Sequence, residues 1–214
     1  MRKRVQFIEV KPRRARRGQP APVDPTARLP KFVGGPADAM AKLQTLKIFV
    51  VGVGSVGGRI AIHLARLGVA MLWLLDPKRY KSESILTHDL EPRDVGKSKA
   101  WTTGGRCKAI SPTTRIYAFS GRAEDLPMEA FADADFVVLA TDNLAVEIEV
   151  GQRCVRLGKP LLQASVHGDT LTAQVRVFGN AEGHGPCPAC GFGAVEWQML
   201  NEQVRFSCDG FTLS

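Results

Sequence analysis

Several things are missing from this 214-residue chain, and each absence narrows what it does. It lacks a long uninterrupted apolar run: Arg59 and Arg66 interrupt the longest one, which excludes a membrane-crossing helix there. No apolar segment follows the basic start, so a secretory leader is not expected. It lacks an even, spaced set of cysteines. Five are present, two of them in a single C-x-x-C, which argues against a disulfide framework and for a reducing, cytoplasmic setting. No internal repeat is visible, so a solenoid or propeller is not indicated.

Basic charge is present, but it is not spread evenly. The net charge is +8, and residues 1–31 carry all of it, with ten Lys or Arg against Glu9 and Asp24. The remainder is balanced. Charge confined to an arm argues against a nucleic-acid-binding fold and leaves only the arm itself for an anionic partner. "KPRRARRGQPAPVDPTARLP" has too few apolar residues to build a core, so residues 1–31 are expected to be a disordered or strap-like arm. A folded domain is expected over 32–180, followed by a loop-rich, truncated C-x-x-C segment over 181–214, so that the whole chain reads as the front of a longer polypeptide.

Within 32–180 the apolar pattern alternates between strand and helix. "KIFVVGVG" is a short β-branched run ending in glycines, the pattern of a buried parallel strand. Val56, Ile60, Leu64 and Leu67 recur at helical spacing before Gly68, and "VAMLWLL" is a second buried strand. That order is a βαβ unit. A helix is expected over Lys97–Ile110 despite Gly104 and Gly105, and another over "AVEIEVGQRCVRLG" despite Gly151. "RIYAFS", "DFVVLAT", "PLLQASV" and "LTAQVRVF" supply further strands, the last half-exposed. The fold class is α/β: a Rossmann-like, doubly wound, mostly parallel sheet with helices on both faces.

"GVGSVG" places Gly52, Gly54 and Gly57 between the first strand and helix. That pattern lets backbone approach a phosphate at a helix N-terminus. Asp76 ends the next strand, where an acid can hold a ribose diol, of NAD or of ATP alike. Downstream, "DVGKSKA" puts Lys97 and Lys99 at a helix start, within reach of a polyphosphate. "VVLATDN" puts Asp142 and Asn143 past the carboxyl end of a strand, where open α/β sheets bind ligands and where a carboxylate suits Mg²⁺. Cys187 and Cys190 in "PCPAC" have the spacing of half a zinc site. Each also has a plain structural use: Lys99 as a solvated helix lysine, Asp142 as a helix cap, Cys154 and His63 as packing residues.

In this order the motifs resemble one family, the ThiF/MoeB-like superfamily of ubiquitin-activating enzymes and their bacterial relatives. "VVGVGSVGGRIAIHLARLGV", "DVGKSKA", "VVLATDN" and "CPAC" carry the likeness, from Ala41 to Cys190. It implies a commonly dimeric ATP-binding domain that adenylates the C-terminal carboxylate of a ubiquitin-like or sulfur-carrier protein and releases pyrophosphate. It implies Asp76 on the ribose, Lys99 on the phosphates, Asp142 as the Mg²⁺-linked acid, and Cys187 with Cys190 as a first zinc pair. Cys208 and His184 are the local candidates to complete that pair. Lys99 and Asp142 are the residues on which catalysis would rest, with Gly52, Gly54, Gly57, Asp76 and Asn143 around the nucleotide. A homo- or heterodimer is implied, with Arg28 the nearest match for an arginine lent across it.

One segment departs from the family. Where relatives read D-x-D-x-V-x-x-S-N-L-x-R-Q or R-H, this chain reads "DPKRYKSESILTH". Lys78 replaces the second acid, Ser84 the asparagine and Thr87 the arginine, while His88 holds the last place. Arg79 and Lys81 are nearby cations that could compensate. Ser84 and Thr87 motivate one alternative, a catalytically degenerate scaffold or partner subunit; the glycine loop and Asp76 alone leave another, an NAD-dependent oxidoreductase.

Overall fold

The computed structural model describes residues 8–11, 41–168, 170–179 and 184–202. Among these, seven strands form one sheet: β1 (Ile8–Glu9), β2 (Lys47–Val51), β3 (Met71–Leu75), β4 (Arg115–Phe119), β5 (Phe136–Leu139), β6 (Leu161–His167) and β7 (Thr172–Phe178). Their spatial order is β1-β4-β3-β2-β5-β6-β7. The five central strands run parallel, and β1 and β7 pair antiparallel at the two edges. This is the expected mostly parallel, doubly wound sheet.

The central strands read as continuous apolar runs because both faces are covered. Ile48 and Val50 point to one face with Leu72, Leu74 and Ile116, under helices α1 (Gly57–Arg66) and α2 (Lys99–Ile110). Phe49 and Val51 point to the other with Trp73 and Phe131, under α3 (Leu144–Arg156). Each such side chain, fully buried, stabilises by roughly 1.5–3 kcal/mol. Cys107 and Cys154 belong to these two cores, and burial pushes both thiols up to about 12. They are packing residues, as Cys154 was expected to be.

The helix glycines that conflicted with propensity have packing reasons. A Cβ on Gly104 would lie 3.1 Å from Val10, the residue after β1. A Cβ on Gly151 would lie 2.7 Å from Pro188 in the C-x-x-C turn. Both helices give up some propensity so that another segment can approach.

Three regions differ from expectation. Ile8 and Glu9, inside the arm, pair with Ala118 and Tyr117 as the β1 edge strand. The rest of the arm, Arg28 included, lies outside the described residues. β7 is not half-buried: Val175 and Val177 are largely exposed, because β7 is an edge strand lying beyond the helices. The C-terminal segment is not all loop, since α4 (Ala194–Asn201) forms there, with the Gly193 N–H donating to Glu196 at 2.9 Å.

Candidate nucleotide site

Strand order reverses between β2 and β5, and the crevice at their carboxyl ends is where ligands bind in open α/β sheets. The glycine loop opens there. Gly52 has φ +84°, and a Cβ on it would sit 2.5 Å from the Ala140 carbonyl oxygen. A Cβ on Gly57 would overlap the Gly52 carbonyl oxygen. These positions accept only glycine, because the loop folds tightly back onto β5 and α1. Thr141 follows at the same place, and its Oγ1 is a buried polar atom without a hydrogen-bond partner among the described residues. Buried polar groups rarely stay unpaired, so the crevice fits a polar ligand.

Asp76 closes β3 beside the loop. Its Oδ2 accepts the Val53 N–H at 2.9 Å and its Oδ1 accepts the Lys78 N–H at 2.8 Å. Burial raises its carboxyl above the ordinary value. The two N–H donors, with the ammonium groups of Lys99 and Lys78, oppose that without cancelling it. Each oxygen keeps a second lone pair, so the carboxylate can still accept from a diol.

The crossover from β3 to α2 folds back on itself. Backbone bonds from Tyr80 to Lys97, from Gly96 to Tyr80 and from Lys99 to Lys78 zip its two ends together. That zipper separates the two candidate lysines. Lys97 pairs with Asp94 at 3.0 Å. Lys99, in the first turn of α2 behind the Ser98 cap, turns to the crevice, 3.1 Å from His88 Nε2 and 5.8 Å above the Tyr80 ring. Arg79 donates to the Gly96 carbonyl and Lys81 pairs with Glu83, so both cations considered as substitutes are engaged elsewhere. Ser84 is buried, and its Oγ accepts the Lys81 N–H as part of the 3-10 turn over Ser82–Leu86. Thr87 Oγ1 lies 2.9 Å from His88 Nδ1.

Past β5, the helix cap that Asp142 could have supplied comes from Asn143. Its Oδ1 accepts the Val146 N–H at 3.1 Å. That use engages the one Asn143 oxygen, leaving its amide N–H₂ for a ligand. Asp142 stays half-exposed with Lys78 Nζ at 3.9 Å. The crevice thus gathers Gly52, Gly54, Gly57, Asp76, Lys99 and Asp142.

Glu147 is a neighbour that the sequence reading missed. It lies on the buried face of α3 with Val150, Gly151 and Cys154. Burial, first, pushes its carboxyl from 4.5 up to about 7. Asp142 adds to the rise, while a hydrogen bond from Gln163 and the charge of Arg176 restrain it. Gln163 and Arg176 are register partners on β6 and β7. An acid at 147 shares the helical spacing of Val150 and Cys154, and that spacing was the available signal.

Eight residues beyond Asn143, about 12 Å along α3, the C-x-x-C turn packs on Gly151 through Cys187 and Pro188. The two Sγ atoms are 3.8 Å apart, about the separation of two thiolates bound at 2.3 Å to one tetrahedral zinc. The Cys187 N–H, then the Cys187 thiol, pull the Cys190 thiol below its ordinary range. These two thiols fit half a zinc site. Among the described residues no group of three His, Cys, Asp or Glu side chains is placed to hold a metal. His184 is exposed, and Cys208 lies outside the described residues.

A family model described as the ThiF family matches residues 27–209. The chain belongs to the ThiF family. Among curated relatives it is 32% identical over 158 residues to the adenylyltransferase and sulfurtransferase uba4 of Aspergillus niger, covering 71% of this chain and 33% of that protein. It is 29% identical over 133 residues to the sulfur carrier protein ThiS adenylyltransferase of Escherichia coli, covering 61% and 53%. The chain therefore spans between a third and about half the length of these relatives. The crystal structure of E. coli MccB with AMPCPP and selenomethionine MccA shares the fold, at a TM-score of 0.66 and 19% identity, over 80% of this chain and 52% of that one. Among the described residues no helix of this ThiF-family chain is long and apolar enough to cross a membrane.

Proposed function

We propose that this chain binds ATP in the β2/β5 crevice and adenylates the C-terminal carboxylate of a ubiquitin-like or sulfur-carrier protein. The observation that carries the reading is the convergence there of a glycine-only loop, Asp76 and Lys99. NAD would use the loop and Asp76 but would leave Lys99 and Asp142 without a role.

In this reading a carboxylate oxygen of the carrier attacks the α-phosphorus. The bond from that phosphorus to the bridging oxygen breaks, and pyrophosphate leaves with its electron pair. No protein nucleophile is required, so the chain's work is positioning and charge neutralisation. Asp76 accepts from the ribose and fixes the nucleoside end. The loop N–H groups and Lys99 donate to the phosphates as negative charge builds on the leaving group. Asp142 and phosphate oxygens would hold Mg²⁺, which adds charge neutralisation at the triphosphate. Lys78 must then move off Asp142, a small cost for an exposed pair. Cys187 and Cys190 would hold a structural zinc with ligands from elsewhere, bracing α3. A dimer and a cytoplasmic setting belong to the same reading.

ATP–pyrophosphate exchange in the presence of candidate carrier proteins tests it. Carrier-dependent exchange is expected. ATP binding without exchange for any carrier would favour a partner subunit that binds nucleotide but does not turn it over, a reading motivated by Thr87 and the Lys78–Asp142 pair. An absence of ATP binding would remove the proposal.

A further inference from the structure

Helix α1 carries a cation where helix electrostatics argue against one. Arg59 is in its first turn, directly behind Gly57 and Gly58. The N-terminal end of a helix bears partial positive charge, so a cation there is unfavourable. No acid stands in that turn to offset it. Arg59 is exposed, and among the described residues it makes no ion pair. Its Nη2 donates to the Thr87 carbonyl at 3.4 Å, a bond longer than usual. Neither packing nor pairing accounts for a guanidinium at this position.

Its place beside the crevice does. Side chains on a helix lean toward the N-terminus, so Arg59 leans toward the glycine loop that opens α1. Asp76, the ribose acid of the reading above, accepts from the Val53 N–H at the start of that loop. Arg59 stands beyond the loop's other end. A nucleotide held at Asp76 therefore extends its outer phosphates toward α1. The crossover arrives at the same place. Thr87 takes the guanidinium on its carbonyl, and the ring of the next residue, His88, has Nε2 3.6 Å from where a Cβ on Gly54 would lie. Thr87 stands where the resemblance implies an arginine; a guanidinium reaches that point from α1 instead. An arginine has five N–H donors and stays charged at any working pH, so most of this fork is left for phosphate oxygens.

We propose that Arg59 is a phosphate-binding residue of the crevice, its guanidinium turning from the Thr87 carbonyl onto the β- and γ-phosphates of the bound nucleotide. The anion offsets the unfavourable charge at the helix start, while Lys99 meets the same phosphates from α2. The inference rests on the nucleotide reading and adds to it a residue outside the glycine loop, Asp76, Lys99 and Asp142.

Equilibrium titration with AMP and with AMPCPP, magnesium present, tests it. Arg59→Met should weaken AMPCPP binding by about 10–100-fold, as the loss of a charge-assisted hydrogen bond does. AMP lacks the outer phosphates, and its Kd should change by less than about twofold. Arg59→Lys keeps a point charge without the fork. It should lose part of the AMPCPP affinity and none of the AMP affinity, and it carries the test alone should Arg59→Met not fold. An arginine that merely tethered the crossover would act through Lys99, so the Arg59→Met loss is expected to recur in a Lys99→Ala background. No loss for AMPCPP, an equal loss for AMP, or a loss that disappears in Lys99→Ala would overturn the inference and leave the nucleotide reading standing. No binding of either nucleotide by wild type would overturn both.

Discussion

The two halves of the crevice are built differently. One half is carried on strand ends: the glycine loop after β2, Asp76 at the end of β3 and Asp142 after β5. Backbone contacts fix it, among them two N–H donors to Asp76 and a loop in which a Cβ on Gly52 or Gly57 does not fit. The other half is the crossover from Lys78 to Lys99, where backbone bonds close the two ends and side-chain contacts of Ser84, Thr87 and His88 set the turn between them. The first half carries the residues that the family resemblance implies. In the second, Lys78, Ser84 and Thr87 stand where the resemblance implies other residues, and His88, Ser84 and the zipped backbone organise the loop. Positions set by backbone tolerate little change, whereas side-chain contacts can be exchanged for others that close the same loop.

Breaking either half separates the two kinds of support. The largest effect is expected from Lys99→Ala and Asp142→Ala, each lowering the pyrophosphate exchange rate by about 10³-fold with an unchanged denaturation midpoint. Unchanged exchange in Asp142→Ala would remove its assigned role. Gly57→Ala should strike stability itself, by roughly 3 kcal/mol in chemical denaturation, because its Cβ meets backbone rather than a flexible side chain.

Glu147→Gln sharpens the comparison through pH. The folded state holds the Glu147 proton up to about 7 against an ordinary 4.5. Its contribution is therefore complete below about pH 4.5 and lost as pH rises through about 7. The permanently neutral variant should be more stable than wild type by roughly 3 kcal/mol well above pH 7, with the difference vanishing in acid. Thermal melts across that range check it; an equal shift at every pH would contradict the assignment. Gly151→Ala should cost about 1–2 kcal/mol by pushing the C-x-x-C turn off α3. Lys78→Ala should change stability by less than about 1 kcal/mol, since its pair with Asp142 is exposed.

The same division explains how much was legible in advance. Strands β2 to β6, the helices between them and the strand-end site residues follow from apolar runs, glycines and acids in fixed order, because that half is set by backbone rules. β1 was not legible: two residues within a basic arm become a strand only by pairing with β4. α4 was hidden because none of its residues is buried, so no apolar face announced it. Lys99 rather than Lys97 was implied by the resemblance alone; the zipped crossover is what turns Lys99 inward while Lys97 pairs with Asp94. His88 meets Lys99 across 11 positions, a contact that no spacing rule encodes. Glu147 was readable from its helical face and was passed over beside the more conspicuous Asp142.

Equilibrium titration of wild type and Lys99→Ala with Mg-ATP and with NAD, in one buffer, tests most directly that the crevice is an ATP site. ATP should bind wild type and lose about a hundredfold in affinity in Lys99→Ala, with NAD much weaker. Tight NAD binding unaffected by Lys99→Ala, with no ATP bound, would contradict it.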